Sequence, residues 1–282
     1  MLSTPAMLWL FVLFVVPLGL IIGVSFFTNS ALGEIERPLT FENYQRFFGF
    51  GSFGWDALYP YIIARSLMLA ALTMLLCVAL GLPLAFWISS LPPRWKTFAL
   101  TLVVIPLWCN LLVRTYAWQL LLAPEGWITK VALQLGLISA GQSLYPNTFA
   151  VCIGMICDYL PFLVLPLYAS VEKIDWTLAE AARDLGASGV NVFRHAVLPQ
   201  IVPGMAAGIT LVFVPATGQF VIPDLLGGAK TMLLGNVIQQ QFGSSRDWPF
   251  GSAMATAAML IVLAALWLNA HLARRKGELR FE

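Results

Sequence analysis

Residues Ile174–Gln200, IDWTLAEAARDLGASGVNVFRHAVLPQ, are the one long polar passage set between two strongly apolar ones. How this stretch folds decides what the rest of the chain is for. Asp175 or Thr177 can cap a helix start, and Thr177 and Glu180 stand at capping-box spacing. Ile174, Leu178, Ala181, Ala182 and Leu185 then share one helix face, and Gly186 ends the helix. Ser188 can cap a second, shorter helix in which Val190, Phe193 and Val197 form an apolar stripe. Pro199, which has no N–H to donate, is expected to close it. The expected unit is a helix, a glycine turn and a helix.

The sequence on either side belongs in a bilayer. Of its 282 residues 59% are hydrophobic and 11% charged, whereas soluble domains carry about a quarter charged residues. A net charge of +2 is too small for a nucleic-acid surface. The single basic run, Arg274-Arg275-Lys276, reads as a topology signal. Membrane lipid is therefore the expected surrounding, and nucleic acid is not an expected partner. Cys77, Cys109, Cys152 and Cys157 lie in apolar segments without CxxC or Cys/His spacing, so they read as small hydrophobes and no metal or redox site is expected.

Six apolar runs are long enough to cross a hydrocarbon core of about 30 Å: Ala6–Phe27, Ser66–Ser90, Phe98–Leu122, Pro146–Val171, Ile201–Ile222 and Phe250–Ala270. The first lacks a basic leader and a cleavage site, and is expected to be retained. Between the first two, Thr40 can cap a short amphipathic helix, FENYQRFF. The expected fold is an all-α membrane protein, one transmembrane domain over residues 1–282 with a loop at 172–200 inside it. Loops alternating from the N-terminus hold nine Lys and Arg (Arg94, Lys96, Lys173, Arg183, Arg194, Arg274, Arg275, Lys276, Arg280). The opposite loops hold six (Arg37, Arg46, Arg65, Lys130, Lys230, Arg246), three of them in the long first loop. By the positive-inside rule, both termini and the 172–200 loop face the cytoplasm. Prolines within the runs, Pro17, Pro83, Pro106, Pro161, Pro166, Pro203 and Pro215, are candidate kinks.

Two ionisable residues fall inside these runs. Asp158 sits near the middle of the fourth, and reads either as a contact for a cationic solute or as a hydrogen-bonding group to a neighbouring helix. Arg114, toward the outer end of the third, reads as snorkelling or pairing; at 1.5 Å per residue its depth differs from that of Asp158 by about one to two turns, so a direct pair between them is within reach but stretched. Trp108, Tyr116, Tyr159 and Phe220 flank these positions. Aromatic faces attract ammonium groups by about 0.5 to 2 kcal/mol each, although aromatics at membrane ends also serve as interface anchors. Past the fifth run, Pro223 and Gly227-Gly228 break the chain, and 232–242 reads as a short re-entrant or surface helix.

Glu180-Ala181-Ala182, three residues, Gly186, and then Leu198-Pro199 match the EAA motif of the membrane subunits of bacterial ABC importers; Ala196 stands where that motif has Ile. The resemblance implies the type I ABC importer permease fold, with six transmembrane helices and a loop that docks on a cytoplasmic ATPase. FVIPDLLGGAK, GNVI and RDWPFGSA extend it: the chain resembles the permeases of spermidine/putrescine importers, their B-type subunits above all. That implies an inner-membrane complex with a second, C-type permease, a pair of ABC ATPase subunits and a periplasmic polyamine-binding protein. Related permeases carry iron, thiosulfate and other small solutes, which remain alternatives. No GxxxxGK[ST] sequence is present, so ATP and Mg are expected on the partner ATPase and no cofactor on this chain. Two other classes stay open. An ATP-independent secondary transporter would use the intramembrane charges for ion coupling, and a membrane enzyme would need a catalytic set that His195 and His271 do not supply. The chain is expected to be a non-catalytic subunit.

Overall fold

A computed structural model describes residues 4–29, 35–36, 39–51, 54–139, 142–228 and 231–278. α1 (Thr4–Leu10), one π-helical turn (Phe11–Val15) and α2 (Val16–Val24) make up the first apolar run. Two short antiparallel ladders follow, β1 (Thr28–Asn29) with β2 (Ile35–Glu36) and β3 (Phe50–Gly51) with β4 (Gly54–Trp55). Between them lies α3 (Glu42–Phe47), where Thr40 Oγ1 accepts a bond from the Glu42 N–H. α4 (Leu58–Ser90) is a single helix of 33 residues. After it come α5 (Pro93–Trp108), α6 (Leu111–Leu122), α7 (Trp127–Gln134) and α8 (Thr148–Val171). The polar stretch holds α9 (Trp176–Asp184), α10 (Gly189–Val192) and a π turn (Phe193–Val197), and runs into α11 (Leu198–Thr217). α12 (Val221–Gly227), α13 (Leu234–Phe242) and α14 (Trp248–Glu278) complete the order.

Among the described residues, five helical segments are long and apolar enough to cross a membrane, and the pair Pro93–Trp108 with Leu111–Gln134 makes a sixth if it counts as one span. Three expectations need correcting. The third span is not straight: its halves meet at 97°. Cys109 and Asn110 are extended there, and Asn110 Oδ1 accepts from the Leu112 N–H (2.8 Å), so the asparagine starts a new helix. The fifth span ends at Thr217; Phe220 stands at the cap of a separate helix, α12, and Val221 and Ile222 are its first two residues. Pro199 does not close the second loop helix. A π turn, with the Leu198 N–H on the Phe193 carbonyl, carries the helix past it, and residues 189–217 run as one span of 29 residues. Pro83, Pro161, Pro166 and Pro203 likewise sit inside continuous helices.

The chain divides into two compact units, Met1–Ser66 with Leu233–Glu282, and Leu67–Met232. In the first, Phe47, Ile62, Leu234, Val237, Phe250 and Met254 form the core. Ser66 Oγ donates to the Ile62 carbonyl and accepts from the Leu234 N–H, which fixes the start of α13 on α4. In the second, α8 is the centre, packed on by α5, α6, α11 and α12. α11 comes so close to α8 that a Cβ on Gly204 would lie 2.5 Å from the Pro166 carbonyl, so only glycine fits that crossing.

Candidate functional site

The 172–200 loop lies wholly within the second unit. Asp175 caps α9: its Oδ1 accepts from the Thr177 N–H (3.0 Å) and the Thr177 hydroxyl (2.7 Å). Thr177 is thus inside the helix, and the Thr177–Glu180 capping box is not formed. The same two bonds, side chain first, hold the Asp175 carboxyl below its ordinary range. Gly186 ends α9 at φ +81°. Its N–H bonds to the Arg183 carbonyl (2.8 Å) and the Ala187 N–H to the Ala182 carbonyl (3.1 Å), the paired bonds of a Schellman turn. Ser188 occupies the cap position of α10 without a side-chain bond into it. A tie missed in the sequence comes from Gln200, whose Oε1 accepts from the Asp175 N–H (2.9 Å) and whose Nε2 donates to the Asp175 carbonyl (3.3 Å). The first turn of α11 is thereby bound to the start of α9.

Burial divides the loop differently from the expected stripe. Ile174, Ala179, Val192 and Val197 are buried, with Ala85, Leu167, Val171 and Ile201 around them, and Ala182 and Leu198 pack partly against this cluster. Leu178, Leu185 (89% exposed) and Val190 stay outside with Glu180 and Ala181. The inner face takes small residues so that the helix lies close to the bundle. The large apolar ones are left on the surface, where a lone folded chain gains nothing from them. At the loop's entrance Lys96 Nζ meets Glu172 Oε1 at 2.8 Å, and the hydrogen bond from Lys96 lowers the Glu172 carboxyl below its usual range. His195 is exposed, its ring on the Asn191 carbonyl.

Inside the spans, Asp158 (7% exposed) forms an ion pair with Arg114, whose guanidinium also donates to the Pro106 carbonyl. Arg114 lies on α6, past the 97° break, and closes from there the pair that the sequence alone leaves stretched. Tyr159 is 5% exposed, and its hydroxyl accepts from Gln219 Nε2 at 3.1 Å. Gln219 Oε1 in turn accepts from the Phe220 and Val221 N–H groups, which opens α12. Gln219 carried no sequence signal: a lone glutamine beside a glycine has no spacing to read. Trp108 is 79% exposed, and Tyr116 and Phe220 are also exposed. The five expected path residues therefore divide into two that are buried and bonded and three that present their rings outward. Cys109, expected within a span, is exposed at the break.

The first unit holds an open cleft of about 940 Å³ lined by Glu42, Arg46, Trp55, Asp56, Tyr59 and Asp247 among others. Arg46 pairs with Asp247 at 2.9 Å and lies over the Phe250 ring, 4.0 Å from its centroid. Asp247 Oδ1 also accepts from the Phe250 N–H (3.3 Å), in the first turn of α14. The preceding Arg246 is held at φ 50°, a conformation uncommon outside glycine.

Known proteins resemble this chain along nearly its whole length. Residues 78–278 match the family of binding-protein-dependent transport system inner membrane components. The spermidine/putrescine transport system permease protein PotB of Escherichia coli (strain K12) is 39% identical over 274 residues, covering 96% of this chain and 97% of that protein. The protein of the same name from Haemophilus influenzae is 38% identical, covering 96% and 93%. A solved bacterial ABC transporter involved in the import of the acidic polysaccharide alginate has the same fold, at a TM-score of 0.71, 17% identity and 96% and 93% coverage. With its apolar helices and this family match, the chain belongs to the binding-protein-dependent transport system inner membrane components and is a membrane permease subunit of an ABC importer.

Proposed function

We propose that this permease imports polyamines, spermidine or putrescine, and forms half of a translocation path in the bacterial inner membrane. The observation that carries the substrate class is the 38–39% identity, over almost the full length, to permeases named for spermidine and putrescine. Its partners on this reading are a second, C-type permease, a periplasmic polyamine-binding protein and a pair of ATPase subunits that bind the ATP and Mg. Both termini and the 172–200 loop face the cytoplasm. The chain itself is non-catalytic and holds no cofactor.

Glu180, Ala181, Ala182, Gly186, Leu198 and Pro199 form the coupling element in this reading. Leu178, Leu185 and Val190 give it an outward apolar surface for a groove on the ATPase, and Glu180 offers a charge beside them. The Schellman turn and the Gln200 tie make the loop stiff, and its second helix is continuous with α11. A push on the loop therefore moves a lever of 29 residues, about 43 Å long at 1.5 Å per residue. Trp108, Tyr116 and Phe220 supply aromatic faces to an ammonium chain in transit, worth about 0.5 to 2 kcal/mol each. Such weak contacts allow release, and tight capture is left to the binding protein.

The test is uptake of labelled spermidine and putrescine by proteoliposomes holding the full complex, with ATP on the ATPase side. Uptake should require ATP and the binding protein. Gly186→Pro and Glu180→Lys should weaken assembly or let ATP be hydrolysed without uptake. Transport by this chain alone without ATP would make it a secondary transporter, and normal uptake by both variants would remove the coupling role.

A further inference from the structure

Two helix breaks in the second unit are tied to neighbouring residues of one helix. The α5–α6 break follows Pro106 by three residues, and the α11–α12 break follows Pro215 by three. At the first, Arg114 binds the Pro106 carbonyl on one side of the break and Asp158 of α8 beyond it. At the second, Gln219 receives the N–H groups of Phe220 and Val221 and donates to Tyr159 of α8. Consecutive helical residues point about 100° apart, so Asp158 and Tyr159 reach two different neighbours from one level of α8. Buried polar groups of this kind persist only when fully partnered, and each side chain here has its partner.

We propose that Asp158 and Tyr159 are positioning residues, which hold the two breaks at fixed angles and so link the far end of the α11 lever to the bend in the third span. Asp158 then acts through Arg114 and not as a direct contact for the solute. The physical need is plain. A break without a fixed angle absorbs a displacement, whereas one pinned by a buried charge pair passes it on. The lever argument rests on the transport reading above; the geometry of the breaks does not.

The experiment uses the reconstituted complex with Arg114→Asp, Asp158→Arg and the double exchange. Removing one partner of a close buried pair leaves the other charge unmatched, so each single variant should lower ATP-coupled uptake by about tenfold or more, and the exchange should recover most of it through pair coupling. In parallel, spin labels at Leu102 and Leu120, both exposed and on opposite sides of the first break, report its angle without any substrate. Their distance distribution should be narrow in the parent, broad in each single variant and narrow again in the exchange. Tyr159→Phe and Gln219→Leu should broaden the same measurement for labels at Leu211 and Asp224, which are exposed on the two sides of the second break. Unchanged distances in the single variants would overturn the proposal whatever happens to uptake. So would an exchange variant that restores neither distance nor uptake. If the distances behave as stated but the parent complex carries no polyamine, the substrate assignment fails and the positioning role stands.

Discussion

Gly186 carries its role in one backbone angle, and that is why its place was legible in the sequence. At φ +81° a residue with a Cβ is penalised by about 1–2 kcal/mol, and no side chain crowds the position, so the demand is conformational alone. Gly189 is also free of neighbours but has no such angle. The pair makes a controlled comparison: Gly186→Ala should destabilise the turn by about 1 kcal/mol, and Gly189→Ala should stay within about 0.5 kcal/mol of the parent. Hydrogen exchange over residues 176–197 in the purified complex reads this directly, with faster exchange expected only for the Gly186 variant. Equal exchange in both would mean that the turn is held by contacts with the bundle and not by its own bonds. Asp175 and Thr177 show the limit of such legibility. Both residue types cap helices; Asp175 is the one that does, and its backbone is held by Gln200, a partner 25 positions away.

At the scale of elements, apolar runs were readable because the bilayer demands their length, while the direction of the chain within a run was not. Pro106 and Pro215 precede breaks, yet Pro83, Pro161 and Pro166 lie in unbroken helices, so proline alone does not announce a break. What distinguishes the third span is Asn110, a capping side chain four residues after Pro106, and that spacing could have been read. Its consequence was legible only in part: the sequence allowed a stretched Arg114–Asp158 pair, and the fold closes it. The loop helices were likewise found while the direction of their apolar faces was not, since periodicity cannot tell the face that packs on the same chain from one left for a partner. A prediction separates the two faces. Leu185→Asp changes an exposed residue and should leave the permease as stable as the parent, within about 0.5 kcal/mol, but reduce recovery of the ATPase in pull-down from membranes. Val192→Asp puts a charge into the buried cluster and should lower the amount of folded permease itself. Undiminished recovery with Leu185→Asp would show that the outward apolar residues are not the docking surface.

For the whole molecule, the decisive quantity is the parity of the spans. Among the described residues, five segments are long and apolar enough to cross, and the bent pair makes six if it is one span. Six places both termini on one side and the 172–200 loop with them; five sends the chain after the bend to the opposite side. The Lys and Arg balance, nine against six, agrees with six spans and a cytoplasmic loop, although several of the charges counted, Arg37, Lys230 and Arg280 among them, lie outside the described residues. A broken span is tolerated in hydrocarbon only where its freed backbone groups find partners. The Asn110 cap and the Arg114 bond to the Pro106 carbonyl are such partners. They favour a bent helix that still crosses. Single cysteines placed in a background lacking the four native ones can decide this in intact cells with an impermeant maleimide. Gln142, after the bent pair, and Ser244, before α14, should react from outside. Ser188 and Arg94→Cys should react only after the membrane is opened. Labelling of Gln142→Cys and Arg94→Cys from the same side would mean that the bent pair enters and leaves by one face. Labelling of Ser188→Cys from outside would turn the coupling loop away from the ATP, and the proposed mechanism would fail with it.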